Sequence, residues 1–189
     1  MTVPQFLIVA GVNGAGKSTL TSLRPDDLSL GPVLDPDAVA RTLNPANYQG
    51  SAIEAAKQVL SDARECLTQA HSFAVETTLS GHTYLRMAQL AKARGFRTHL
   101  VYVGLNSPEL SIERVRIRVG LGGHDVPEQD IRRRYSRSLA NLKAAISLVD
   151  SGHLFDNSGT SGYQMVALAD HGEISWLAPP PLWAKGLTV

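Results

Sequence analysis

The sequence predicts an α/β fold in which five strands form a mostly parallel core sheet with helices on both faces. Three observations point there. An apolar run, Phe6-Leu7-Ile8-Val9-Ala10, leads directly into the glycine-rich segment Gly11-Val12-Asn13-Gly14-Ala15-Gly16-Lys17-Ser18. Short apolar runs then alternate with stretches of helical period as far as about residue 155. The connections are short, as in chains wound strand, helix, strand.

Each element follows from its own residues. Phe6 to Ala10 reads as a buried strand, and Lys17 to Leu23 as the helix opened by the glycine turn. Pro32-Val33-Leu34 is a short strand, and Asp37 is placed to cap a helix from Ala38 to Leu43. A long helix is expected from about Ser51 to Ala70, then a strand at Ser72-Phe73-Ala74-Val75 that stops at Glu76-Thr77-Thr78. His82 to Arg94 is helical, and Gly95 closes it before the strand Arg97 to Val103. Pro108 opens a helix to about Val119, and a glycine-rich loop spans 120–127. A strongly basic helix runs from Pro127 to Val149, ended by Gly152, and His153 to Phe155 is the fifth strand. The tail predicts a C-terminal β-hairpin, Tyr163 to Leu168 and Ile174 to Leu177 around Asp170-His171-Gly172, stopped by Pro179-Pro180-Pro181.

Composition narrows the function classes. With 189 residues and 43% hydrophobic content the chain supports one well-buried core, so a single domain over 1–189 is expected. A net charge of +1 provides no global field for nucleic acid or an acidic membrane. The single Cys66 excludes an internal disulfide, and no Cys/His pairs stand at zinc spacing. The apolar start is too short to span a bilayer and has no basic leader, so a cytoplasmic protein is expected.

Gly11 to Ser18 is a complete P-loop, set between a strand and a helix. Its glycines let the backbone of Asn13, Gly14, Ala15, Gly16 and Thr19 close around a triphosphate. Lys17 can reach the β and γ phosphates, and the Ser18 hydroxyl can ligate Mg²⁺. The expected ligands are ATP or GTP together with Mg²⁺. A glycine turn without a ligand would not need a lysine followed by a hydroxyl.

Two acidic positions and one basic cluster surround that expectation. Asp37 follows the second strand, where a carboxylate faces the γ phosphate from the acceptor side and can take a hydroxyl proton; its other reading is a plain helix cap. Asp35 is the weaker candidate for the same task. Glu76 has two competing jobs, support of Mg²⁺ through water or hydrogen bonding to substrate hydroxyls together with Thr78. The basic cluster comprises Arg114, Arg116 and Arg118 on one helix and Arg132, Arg133, Arg134 and Arg137 on the next. An arginine-rich helical pair with a glycine hinge, at about 112–140, has the form of a lid that closes over a transferring phosphate. Only two or three of these arginines are expected to touch phosphate, the rest being exposed or paired with Glu113, Glu128 and Asp130.

These residues together resemble the zeta toxin family of P-loop kinases, in particular its short branch. The matching segments are GVNGAGKST at 11, LDPDAVA at 34, FAVETTLSG at 73, ERVRIRVGLGGHDVP at 113, IRRRYSRSLANL at 131 and FDNSG at 155. The resemblance implies Lys17 and Ser18 for ATP and Mg²⁺, Asp37 as base, Glu76 and Thr78 as substrate contacts, and Arg118 and Arg134 on the phosphates. It also implies that FDNSG, with Asn157, packs against adenine; a simple Asn-Ser-Gly turn is the alternative. Founding members of the family phosphorylate the 3′ hydroxyl of the sugar in UDP-N-acetylglucosamine. The expectation is therefore an ATP- and Mg²⁺-dependent phosphotransferase for a small-molecule hydroxyl, with that nucleotide sugar as first guess and an antitoxin protein as partner. A kinase for an antibiotic, nucleoside or sugar is the second reading. A nucleotide-dependent switch or ABC-type ATPase is the third, and the absence of an LSGGQ-like segment stands against it.

Overall fold

The computed structural model describes residues 2–23, 31–44 and 50–187. A seven-stranded sheet has the order β2-β3-β1-β4-β5-β6-β7, with β1 (Gln5–Gly11), β2 (Val33–Leu34), β3 (Phe73–Thr77), β4 (Arg97–Gly104), β5 (Ser151–Asp156), β6 (Gln164–Asp170) and β7 (Glu173–Trp176). The first five strands are parallel, and β6 and β7 extend the sheet antiparallel beyond β5. The C-terminal hairpin expected from sequence is thus part of the main sheet. The helices are α1 (Lys17–Leu23), α2 (Pro36–Leu43), α3 (Ala52–Gln69), α4 (Thr83–Ala93), α5 (Pro108–Gly120) and α6 (Glu128–Leu148), followed by a 3₁₀ turn over Leu182–Leu187.

Strand β1 lies at the centre of the five parallel strands, and it is apolar on both faces, the pattern of a parallel strand covered on each side. Phe6, Ile8 and Ala10 join Phe73, Val75, Leu100, Tyr102 and Leu154 in the main core, which α3, α4, α6 and the 3₁₀ turn close. Phe6 stacks on Phe73 with ring centroids 4.6 Å apart. Each such side chain contributes about 1.5–3 kcal/mol of burial free energy. The alternate residues Leu7, Val9 and Ala74 form a smaller cluster on the other face with Val101. Gly11 ends β1 at φ +150, and a Cβ there would stand 2.3 Å from the Val103 carbonyl oxygen, so only glycine lets β1 stay against β4 as it turns into the loop.

Three boundaries differ from the sequence reading. Helix α2 starts at Pro36, and its N-cap is Asp35, whose side chain accepts from the Asp37 amide at 2.9 Å. Proline suits the first helical position because it has no N–H to satisfy, so Asp37 falls inside the first turn instead of capping. Strand β3 continues through Glu76, which pairs with Val9. Gly152 lies within β5, opposite Leu100 and Ala169, so Val149 is the residue that ends α6. Among the described residues no helix is long and apolar enough to cross a membrane.

Candidate functional site

All the chemistry-bearing segments meet at the carboxyl ends of the parallel strands, as expected for open α/β sheets. A cavity of about 210 Å³ opens there, lined by P-loop residues Asn13, Gly14, Lys17 and Ser18, by Asp35, Pro36 and Asp37 at the start of α2, and by Glu76, Thr77 and Thr78 after β3. Tyr84 of α4 and Arg118 and Arg134 of α5 and α6 complete the lining.

The floor is the P-loop. The Ala15 amide bonds the Val12 carbonyl at 3.2 Å, and Lys17 Nζ donates back to the same carbonyl at 3.3 Å. Burial holds the Lys17 ammonium below its usual pKa, a shift opposed by Glu76, Asp37 and Asp35 and reinforced by Arg118. A cation kept so poorly solvated gains from an anion placed beside it. Glu76, only 6% exposed, accepts from Ser18 Oγ at 2.8 Å with Oε2 and from Thr21 Oγ1 at 2.6 Å with Oε1. Both carboxylate oxygens therefore face α1.

Across the cavity, burial first, then the charges of Glu76 and Asp37, push the Asp35 carboxyl up, against its hydrogen bond from the Asp37 amide. The Tyr84 phenol is pushed up to about 12 by burial and by Asp35. Thr78 Oγ1 and Ser80 Oγ share a hydrogen bond of 2.9 Å. Between them Leu79 adopts the left-handed conformation at φ +57 and is fully buried. Asn141 of α6 donates to its carbonyl at 2.8 Å, so packing and this bond sustain a backbone that a leucine does not favour.

The roof is the α5–α6 pair. Ser111 donates to the Asn13 carbonyl, and Arg114 Cβ would be 3.0 Å from a Cβ at Gly14, so α5 rests directly on the P-loop. The Asn13 side chain is 8% exposed, and its Oδ1 is buried without a hydrogen-bond partner. Arg118 donates to the His124 carbonyl at 2.6 Å while its Nε is buried and unpartnered. His124 is held below its usual value by burial, against the pull of Asp37 and with the push of Arg118 and Arg134. Arg114, Arg118 and Arg134 are half-buried; Arg116, Arg132, Arg133 and Arg137 are exposed. Of the exposed four, Arg116 pairs with Glu128, Arg132 with Glu109 at 2.5 Å and Arg133 with Asp130 at 2.8 Å. The expected partner Glu113 is replaced by Glu109, one helical turn earlier.

Of the residues singled out in the sequence, Lys17, Ser18, Asp37, Glu76, Thr78, Arg118 and Arg134 line one cavity. Asn157 does not. It is 9% exposed, and its Nδ2 donates to the Ala15 carbonyl at 2.9 Å, outside the cavity lining. Sequence reasoning missed Tyr84 and Tyr163, the latter donating to the Gly16 carbonyl at 2.6 Å. An isolated tyrosine carries no motif, and only helix phase relative to the site could have marked Tyr84.

A family model described as AAA domain matches residues 6–139. A Haemophilus influenzae protein, itself described as uncharacterized, is 35% identical over 129 residues, covering 68% of this chain and 91% of the relative. A chain from the PezAT chromosomal toxin–antitoxin system of Streptococcus pneumoniae superimposes with a TM-score of 0.65 at 16% identity, over 89% of this chain and 72% of that one. A chain from the AvrRxo1-ORF1:-ORF2 structure with ATP does so with a TM-score of 0.71 at 18% identity, over 93% of this chain but only 61% of its own length. At such identities the likeness is one of fold. The chain belongs to the AAA domain family, and it shares the α/β fold of these two chains.

Proposed function

We propose that the protein is an ATP- and Mg²⁺-dependent phosphotransferase acting on a hydroxyl of a small molecule. The observation that carries this reading is the convergence of Lys17, Asp37, Arg118 and Arg134 on one cavity. The site fits a nucleotide: the ammonium of Lys17 on the glycine-rich loop is held below its usual pKa by burial, and guanidinium Nε of Arg118 is buried without an acceptor. The backbone amides of 13–18 and Lys17 would hold the phosphates. Among the described residues no group of three His, Cys, Asp or Glu side chains could hold a metal ion alone, so Mg²⁺ would rest on Ser18, with Glu76 supporting from behind. The engagement of Glu76 with Ser18 and Thr21 favours support of Mg²⁺ over direct substrate contact and leaves Thr78 for the acceptor.

Bound ATP supplies the phosphoryl group. Asp37 accepts the proton of the acceptor hydroxyl, a task for which the Asp35 cap leaves its carboxylate free. Arg118 and Arg134 neutralise charge that grows on the phosphoryl oxygens and, with the lid, exclude water. The first acceptor to test is a nucleotide sugar, UDP-N-acetylglucosamine, with the protein acting as the toxin of a toxin–antitoxin pair. An antibiotic, nucleoside or sugar kinase uses the same base and lid.

The experiment is phosphate transfer from labelled ATP into a metabolite extract, comparing wild type with Asp37→Asn. A labelled metabolite from the wild type alone is expected. ATP hydrolysis without transfer, equal in both proteins, would favour a switch or ATPase.

A further inference from the structure

The P-loop is held by a part of the chain that the family match does not include. Two consecutive carbonyls, of Ala15 and Gly16, accept hydrogen bonds from Asn157 Nδ2 at 2.9 Å and Tyr163 Oη at 2.6 Å. Gly16 has φ +94, and a Cβ there would lie 2.4 Å from Tyr163 Oη and 3.1 Å from Asn157 Nδ2, so loop and clamp are in direct contact. The clamp is itself fixed. The Asn157 amide bonds the Gly104 carbonyl at 3.1 Å, Ser158 Oγ joins Asp156 at 2.6 Å, and Trp183 Nε1 donates to the same Asp156 at 2.9 Å.

Because a peptide unit is planar and trans, the carbonyl of one residue and the amide N–H of the next point in opposite directions. Holding the Ala15 and Gly16 carbonyls toward Asn157 and Tyr163 therefore aims the N–H groups of Gly16 and Lys17 the other way. We propose that Asn157 and Tyr163 are positioning residues that pre-set the amide cradle of the P-loop, so that the segment 156–187, beyond the matched 6–139, completes the nucleotide site. This rests on the nucleotide-binding reading above. A cradle set before binding saves the ordering that a loose loop would undergo on meeting phosphate.

The test measures the Kd for MgATP by calorimetry and, separately, the unfolding midpoint without nucleotide. Tyr163→Phe keeps the ring and deletes only the hydroxyl, and the Gly16 carbonyl retains its bond from the Leu20 amide at 3.0 Å. MgATP affinity is expected to fall about three- to tenfold with the unfolding midpoint unchanged. Asn157→Asp, which sets an acceptor against the Ala15 carbonyl, should lose about tenfold or more. Unchanged affinity in both variants overturns the proposal, as does a lowered midpoint with unchanged affinity, the mark of a purely structural contact. If the wild type itself failed to bind MgATP, the nucleotide reading would fall first and the brace with it.

Discussion

The floor and the roof of the cleft both carry cationic side chains, in opposite settings. On the floor, Lys17 is tied to the Val12 carbonyl, and Glu76 is committed to Ser18 and Thr21, so polar partners are already satisfied at close range. On the roof, the half-buried arginines make no ion pair among the described residues, while three of their exposed neighbours, Arg116, Arg132 and Arg133, sit in surface ion pairs. Backbone geometry and short contacts thus define the floor, and charge defines the roof. The difference teaches that loss of a floor residue should weaken nucleotide binding as well as turnover, whereas loss of a roof residue should leave a site that binds but works slowly.

The largest expected effect tests the floor. Lys17→Ala or Lys17→Met should abolish turnover and weaken ATP binding while the amide cradle survives, as read by labelled-phosphate transfer and calorimetry. Full activity in either variant would take the P-loop out of the mechanism. Asp37→Asn should lower the rate by roughly a hundredfold or more with ATP affinity nearly unchanged. The Asp35 cap keeps helix α2 in place in that variant, so a drop in stability without a drop in rate would return Asp37 to a structural part.

The roof is tested by position. Arg118→Ala and Arg134→Ala should each reduce kcat strongly with little change in substrate binding, and Arg118→Lys should recover little because a point charge does not replace the planar fork. Arg132→Ala, which removes only an exposed pair with Glu109, should stay within about twofold of wild type. Equal small losses at all three positions that follow ionic strength would mean a diffuse basic surface instead of a lid.

The smallest effect is on stability and separates the acidic wall from both. The Asp35 pKa is raised in the folded protein, so its favourable contribution is present below the ordinary carboxylate value and is lost as pH rises through the folded value. At neutral pH the half-buried Asp35 charge is a cost, and Asp35→Asn removes it while keeping a good N-cap. Thermal unfolding at pH 7 should show a higher Tm for the variant, with the gain shrinking toward about pH 4. A gain independent of pH would assign the effect to the cap instead of the charge.

Much of the cleft was legible because its signals are contiguous. The P-loop, its strand and its helix occupy neighbouring residues, and backbone chemistry alone dictates what glycine, lysine and serine do at that spacing. Helix α2 was misread by two residues because Asp35 and Asp37 are both competent caps, and the choice fell to Pro36 between them. Helical phase put Arg114 and Arg118 on one face, but nothing local distinguished Arg134, which lines the cavity, from Arg132, which pairs with Glu109.

By itself the sequence determined the parallel core, the nucleotide loop and the presence of acidic and basic walls, since periodicity and glycine chemistry act over a few residues. Only the tertiary structure decided which oxygens Glu76 offers to α1, which arginines turn inward, and that Asn157 and Tyr163 grip a loop more than a hundred positions away. Those choices depend on how strands pair and helices cross, and a contact between distant segments leaves no period or motif in either one.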